Sequence, residues 1–596
     1  MLNGRLYRAA FVPFLFALAI AAFSLQARPP VLTSTLAPDA FEGPRAFAEL
    51  RGLAARFPDR RPGGAGDEAL AAYVARTFEG RGGTAGGGFS VRVHRFEGQT
   101  IEGERTLTTV VAQRPGSTNA TPILILAHRD AVARGSRAEL SGTAALLELA
   151  RVFAARETKR TIVLASTSGG SGGDAGAADL AASAHGPFDA AIVLGDVAGT
   201  HASPPFVVPY SDGFGSAPLQ LQRTVADAIT HETVARPGAP STFGQLAHLA
   251  FPFAIGEQGV LGAGGLPAVL VQVSGESGAR AGGTVSAARL EGLGRAVLAA
   301  VDALDTAPDI SATRQTGVLL QRKTIPEWAV RLLTLTLLFA PLLVAADGLA
   351  RLRRRRMPVG RWALWTLSCA LPFLACAVFA RLLGWLGIVA APSVPVLPSA
   401  MPFDGTAAAE VVAVAMTLAL AWLLWALLVR RLHWGVRPDS DVAGLSMLLV
   451  LLGVCAVVWV ENPYTALLAL PALHLWLLVA SPELRPRRIG SLALVALGLV
   501  PLALLVAFYA HQLGFGPADV AWTGVLLLVG GHVGITGAVL WSLAFGCAAA
   551  AGMLALVPLA ELPAPTGEDG AEITIRGPMS YAGPGSLGGT ESALRR

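Results

Sequence analysis

Charge is scarce in this sequence. Only 15% of its 596 residues are charged against 53% hydrophobic, and the mean hydropathy is +0.54. That balance is too apolar for an ordinary soluble chain or a disordered one, and it implies a membrane protein. The cations are almost all arginine and sit mainly at the ends of apolar runs, so the net charge of +5 forms no clustered basic stripe. A nucleic-acid partner is thereby excluded. The four cysteines, Cys369, Cys376, Cys455 and Cys547, all lie inside apolar runs of the second half. This rules out a disulfide framework and a cysteine-type zinc site. Tryptophan is missing before Ile325, and all eleven copies follow it. The two halves of the chain therefore face different solvents.

Residues 9–26 form one apolar run preceded by Arg5 and Arg8, the pattern of a signal peptide or an uncleaved anchor. Leu25-Gln26-Ala27 is a weak cleavage site because its first position is bulky, which favours an uncleaved anchor over residues 1–27 with a cytoplasmic N-terminus. Residues 28–322 have soluble composition. Strand-length apolar runs at 122–127, 161–166, 190–195 and 267–273 alternate with helical periodicity, which predicts an α/β domain with a mostly parallel sheet and helices on both faces.

From residue 323 to 560 the sequence predicts an all-α transmembrane bundle. Eight apolar runs, near 327–347, 362–380, 408–429, 442–460, 464–480, 489–509, 518–533 and 537–558, approach the ~20 residues that a spanning helix needs. The last two are divided only by GGHVGITG and read either as a pair, as one broken helix or as a re-entrant segment. Arginines cluster at 351–356, 430–437 and 485–488, while the connections 391–407, 461–463 and 510–517 carry no lysine or arginine. The arginine-bearing connections are thus expected in the cytoplasm and residues 28–322 outside, giving a multi-pass protein of the cell membrane. With eight C-terminal spans the tail, 561–596, falls outside as well; its Gly, Ser, Pro and mixed charge predict disorder.

The run RPGGAGDEALAAYVARTF, the strand end LAHRD, the helix opening SGTAALLELARVFA, and the strands IVLGDVAG and GAGGLPAVLV occur in that order between residues 45 and 305. Together they resemble the co-catalytic di-zinc aminopeptidases, metallopeptidase family twenty-eight of clan MH. One N-terminal span and several C-terminal ones are similar in layout to the endoplasmic reticulum metallopeptidase and the attachment subunit of the GPI transamidase. The resemblance implies two zinc ions held by a His, a bridging Asp, a Glu, a second Asp and a second His, beside a Glu general base.

Carried over residue by residue, that set is mostly missing. His128 matches the first ligand and Asp130 the carboxylate that orients it. Alignment on Ser141-Gly142 puts Arg137 at the bridging position, with Glu139 two places later. The base and its neighbouring ligand fall on Gly169 and Gly170. Asp196 survives in LGDVAG, whereas the last His is replaced within ESGARAGGTV, and the preceding segment reads Glu257-Gln258. Two remaining ligands, His128 and Asp196, cannot close a tetrahedral site. The resemblance therefore implies a pseudopeptidase with no cofactor, and Arg137 as a plug reaching Asp130 or Asp196 in place of the metal.

Other readings stay open. Glu139 entering the site as a substitute ligand would restore a zinc metallopeptidase, and His248 is a further candidate for the vacated place. GGSGG at 169–173 fits a nucleophile elbow, with Ser171, Asp196 and His248 in hydrolase order, although a glycine run meets that pattern cheaply. In plainer readings Asp130 and Asp196 cap turns, His128 is a core residue and Glu148 is a helix-face partner. Among the polar residues of the membrane half, Arg381, His511, His532 and Asp519 lie near helix ends, and His474 is the most interior. A transporter has only the GGHVGITG break to support it. The expected partners are membrane lipid and an unidentified peptide or protein.

Overall fold

A computed structural model describes residues 4–557 except 81–87, 184–186, 205, 235, 239, 281, 311–312, 393, 432–439 and 482–485. The first apolar run forms α1 (Gly4–Ala9) and α2 (Val12–Phe23), followed by β1 (Gln26–Ala27). Next come α3 (Gly43–Arg56), α4 (Ala65–Glu79), β2 (Ser90–Thr100), β3 (Gly103–Arg114), β4 (Ile123–His128), α5 (Ser141–Ala154), β5 (Ile162–Thr167), α6 (Ala175–Ser183), β6 (Ala190–Leu194) and β7 (Val207–Val208). The domain is completed by α7 (Leu219–Glu232), α8 (Thr242–Ala250), α9 (Glu257–Ala263), β8 (Ala268–Val271) and α10 (Ala287–Thr306).

The sheet has the order β2-β3-β5-β4-β6-β8-β7. Its four central strands are parallel, and antiparallel pairs close both edges. The sheet is thus mixed around a parallel centre, because the β2–β3 hairpin and the short β7 need no helical crossover. Continuous Ile/Leu/Val runs suit the centre because both faces are covered. In β4, Ile123, Ile125 and Ala127 enter the core under α3, α5 and α10, while Leu124 and Leu126 enter the one under α6 and α9. Gly142 opens α5 so close to β6 that a Cβ there would collide with the Leu194 carbonyl. The helix start is thereby seated directly over the strand ends.

Two short strands, β9 (Val318–Leu319) and β10 (Lys323–Ile325), join the domain to the bundle. β10 pairs with β1, Gln26 opposite Thr324 and Ala27 opposite Lys323, and the Arg28 guanidinium donates to the Leu320 carbonyl. The exit of the N-terminal helix and the entry to the bundle are therefore laced together, and within the membrane Tyr7 Oη lies 2.7 Å from His474 Nδ1.

The bundle comprises α11 (Glu327–Arg354), α12 (Val359–Ser368), α13 (Leu371–Trp385), α14 (Gly405–Arg431), α15 (Ser440–Glu461), α16 (Pro463–Ala480), α17 (Arg488–Leu513), α18 (Pro517–Val529) and α19 (Ile535–Leu556). Among the described residues eight helices are long and apolar enough to cross a membrane: the N-terminal one, and seven here when α12 and α13 count as one. The turn between α15 and α16 is set locally. Asn462 accepts from the amides of Tyr464 and Thr465, and Pro463 occupies the first helical position, where its missing N–H costs nothing.

The arginine-free connections all meet the domain. Asn462 donates to the Leu249 carbonyl (2.7 Å), Tyr464 to that of Thr316, Gln512 to Glu276, and His532 lies 3.4 Å from the Pro252 carbonyl. The protein is thus a polytopic membrane protein with its α/β domain outside the bundle, on the face away from the arginine clusters.

The expectation of eight C-terminal spans needs correction. α18 has 13 residues, roughly 20 Å of helix, which is short of the ~30 Å hydrocarbon layer. Both its flanks, through Gln512 and His532, reach the domain side, so it dips and returns. The Gly530-Gly531 turn allows this: Gly531 has φ 74° and sits against the Arg381 guanidinium, which donates to the Val529 carbonyl at 2.6 Å. α19 then leads away from the domain face, which opposes an extracytoplasmic tail; the tail itself lies outside the described residues. A cysteine placed at Ser580 in a background without the four native cysteines is expected to react with a membrane-impermeant maleimide only from the cytoplasmic side. Labelling from the outside alone would restore an eighth C-terminal crossing.

Candidate functional site

The carboxyl ends of the parallel strands gather the candidate residues, as expected where crossovers leave a crevice in an open α/β sheet. β4 delivers His128 and Asp130, β5 the glycine loop 169–173, β6 Asp196, and β8 Gln272. The start of α9 adds Glu257, and the turn before α5 adds Glu139. His128, Glu139, Asp174, Asp196 and Glu257 line one cleft of about 80 Å³. Its roof is not part of the domain: Val396, Leu397 and Ala400, from the connection between α13 and α14, close it from the membrane side.

His128 Nδ1 stands 3.7 Å from Glu257 Oε2, an ion-pair separation too long for a hydrogen bond. Thr167 donates to the other oxygen of Glu257, whose side chain is 1% exposed. Burial alone would lower the His128 pKa. The carboxylates of Glu257, Asp130 and Glu139 outweigh it and raise the pKa to about 9. Burial raises the Glu139 pKa despite His128, and raises that of Asp174 well above its ordinary value, with Glu257 and Asp212 adding to the effect. Asp174 takes the left-handed φ of 46°, and Asp212 rises through burial to about 7.

Asp130 is bound to the glycine loop, accepting from the amides of Gly170 (3.1 Å) and Ser171 (2.9 Å) and from the Ser171 hydroxyl. Asp196 accepts from the amides of Ala198 (3.2 Å) and Gly199 (2.6 Å). Both aspartates act as turn caps, and of the two Asp196 lines the cleft.

The donor set does not fit a zinc pair. Among the described residues no group of three or more His, Cys, Asp or Glu side chains comes together closely enough to hold a metal ion. The glycines explain part of this. A Cβ on Gly170 would fall inside the His128 side chain. The space of the expected ligand is taken by the imidazole itself, which leans on Glu257.

Arg137 is not the plug. It is exposed, and among the described residues it forms no ion pair with Asp130 or Asp196. Its turn is held another way: the Arg60 guanidinium, 1% exposed, donates to the carbonyls of Ser136 (2.7 Å), Arg129 (3.1 Å) and Phe57 (2.9 Å), and Gly135 N–H donates to the Pro58 carbonyl. Buried cations do compensate the carboxylates, but they are Arg60 and Arg129. Arg129 pairs with fully buried Asp67 at 2.8 Å and donates to the carbonyls of Ser166 and Thr108. Sequence reasoning missed Arg129 although alternation along β4 points it away from His128 and through the sheet.

The Ser171 hydrolase reading is also overturned. The Ser171 hydroxyl is donated to Asp130, whereas His248 is engaged elsewhere: Nε2 is 3.0 Å from Glu276 Oε2, Nδ1 is 3.2 Å from Tyr509 Oη, and the ring stacks on Tyr210 at 3.5 Å. His248 therefore belongs to the joint between the domain and α17, and it does not enter the vacated site.

Residues 109–252 match the family description "Peptidase family M28". No curated protein matches the chain. Among solved structures, the domain is similar to Porphyromonas gingivalis glutaminyl cyclase, with 16% identity, 44% of this chain and 99% of that chain covered, and a TM-score of 0.32. It is similar to the zinc aminopeptidase of Bacillus subtilis, with 11% identity, 46% and 98% covered, and a TM-score of 0.33. Legionella pneumophila LapB gives 14% identity, 49% and 81% covered, and a TM-score of 0.38. Within the α/β domain, residues 109–252 are thus similar to peptidase family M28, and the domain is joined to a polytopic membrane region.

The His128 environment predicts a pH effect. The fold holds the imidazolium, so its contribution is complete below the unfolded pKa of ~6.5 and is lost as pH rises through about 9. Thermal stability is therefore expected to fall between pH 7 and 10, and His128→Gln should flatten the profile in that window; an equally steep profile in the variant would count against the assignment.

Proposed function

We propose that the protein is a membrane-anchored pseudopeptidase whose former substrate cleft binds a peptide or a segment of a partner protein without cleaving it. The observation that carries this reading is the collision of any Gly170 side chain with His128: the loop that would supply base and ligand is packed shut around an imidazole paired with Glu257. What remains is a small polar cavity: burial pushes Glu139, Asp174 and Asp196 toward their neutral acid forms, and Glu257 faces the His128 imidazolium. Such a cleft offers carboxyl oxygens as hydrogen-bond acceptors to the N–H groups of a peptide end or a basic side chain. Its size admits one such group, and its roof from residues 396–400 places it at the membrane surface.

A second reading has one observation in its favour: Glu139 lines the same cleft as His128 and Asp196. A metallopeptidase with Glu139 as substitute ligand would use those three. The two readings separate with the full chain in nanodiscs and short fluorescent peptides bearing free amino termini. The pseudopeptidase gives saturable binding, weakened about tenfold or more by Glu257→Gln, and no release of product from aminoacyl-coumarin amides. Turnover that depends on Glu139 would establish the enzyme.

A further inference from the structure

A cavity of about 270 Å³ opens between α15, α16, α17 and α19, under the end of α8. Its wall is apolar along its length, with Leu451, Leu468, Trp476, Leu502 and Phe545 among the lining residues, and its carboxylate, amide and hydroxyl groups sit at one end: Glu461, Asn462 and Thr465. Asn462 and Thr465 are spent on the carbonyls of Leu249 and Ala250. The neighbouring cation, Arg331, is taken by Glu327 at 2.8 Å and by the carbonyls of Trp459 and Val460. Glu461 is exposed and, among the described residues, has no ion-pair partner.

We propose that this cavity binds one acyl chain of a glycerophospholipid whose primary-ammonium headgroup pairs with Glu461. Water does not fill such a space: an apolar cavity of ~150 Å³ already stays dry and takes an apolar guest. Left empty, the wall would forfeit its dispersion contacts while lipid tails lie alongside. Depth selects the guest. Leu451 and Glu461 are ten residues apart on α15, roughly 15 Å, or half of the ~30 Å hydrocarbon layer. That is the reach of one leaflet's chain, whereas a partner's spanning helix needs the whole thickness. Polarity selects its orientation, since the carboxylate end lies beside the domain, at the extracytoplasmic surface. Charge selects its head: an uncompensated carboxylate attracts an ammonium and repels an anionic lipid.

The roof of the cavity is Ala250–Pro252, and Phe251 also meets the rings of Tyr509 and His532. A bound chain therefore braces the joint that holds His248 against Glu276.

The test compares the full chain in nanodiscs containing phosphatidylethanolamine or phosphatidylglycerol, read by melting temperature and by native mass spectrometry of retained lipid. Wild type is expected to retain one phosphatidylethanolamine with about tenfold preference and to melt a few degrees higher with it. Glu461→Gln removes the preference but keeps a retained lipid. Ala469→Phe and Ala544→Phe, each filling the cavity from a different helix, abolish both retention and the lipid-dependent rise. Equal retention of the two lipids by wild type, or a rise that persists in a folded cavity-filling variant, would overturn the proposal in favour of ordinary bilayer solvation. Retention of a hydrophobic peptide in place of lipid would overturn it too.

Discussion

Arg129→Met is expected to cost on the order of 3–5 kcal/mol and to leave little folded protein. Arg129 and Asp67 are both fully buried and 2.8 Å apart. Burial pushes the Asp67 pKa to about 6 even with Arg129 opposing it, so losing the guanidinium strands a carboxylate inside the sheet's packing. It also strands the carbonyls of Ser166 and Thr108, which Arg129 satisfies at 3.0 and 2.6 Å. The double variant Arg129→Met/Asp67→Leu should regain part of the loss, because removing both charges is milder than removing one. Yield of monodisperse protein and thermal melting measure this. A single variant that melts like wild type would show that the pair is not structural.

Gly170→Glu is the second large effect. If a missing acid were all that the site lacked, restoring it would restore the metal centre. The structure predicts the opposite: the new side chain must displace His128, the best-matched ligand, at an overpacking cost of about 1–3 kcal/mol. The variant should melt several degrees lower and gain no stoichiometric zinc. Gly170→Ala should show the same loss in milder form. Both can be read by calorimetry alongside metal analysis. A stable Gly170→Glu protein that binds zinc would mean the loop opens freely and that the closure is incidental.

The legible and illegible parts of this chain divide along physical lines. β4, β5, β6 and β8 begin and end within one residue of the apolar runs, except that β8 ends two residues inside its run. Strands buried on both faces announce themselves as unbroken Ile/Leu/Val. The spans were legible for the same reason, with α18 the exception. Its apolar run met the length rule only by counting into the glycines, and what makes it turn back is the Arg381 contact with Val529 and Gly531, about 150 positions away in sequence. The site followed the same divide. His128, Asp130 and Asp196 were legible because strand ends carry them to the crevice. Glu257 and Asp174 were not, since one reaches His128 from a helix start 129 positions on and the other through a left-handed turn. Arg137 failed as the plug because a sequence alignment gives a position and not a direction, and Arg60 had already fixed the turn.

The most direct measurement is metal stoichiometry. Full-length protein purified with zinc in every buffer and then freed of loosely held ions should contain well below one zinc per chain, with the same residual content in His128→Ala and Glu139→Gln. Two zinc ions per chain in wild type, or one that disappears in both variants, would contradict a dismantled centre and make the domain a metallopeptidase.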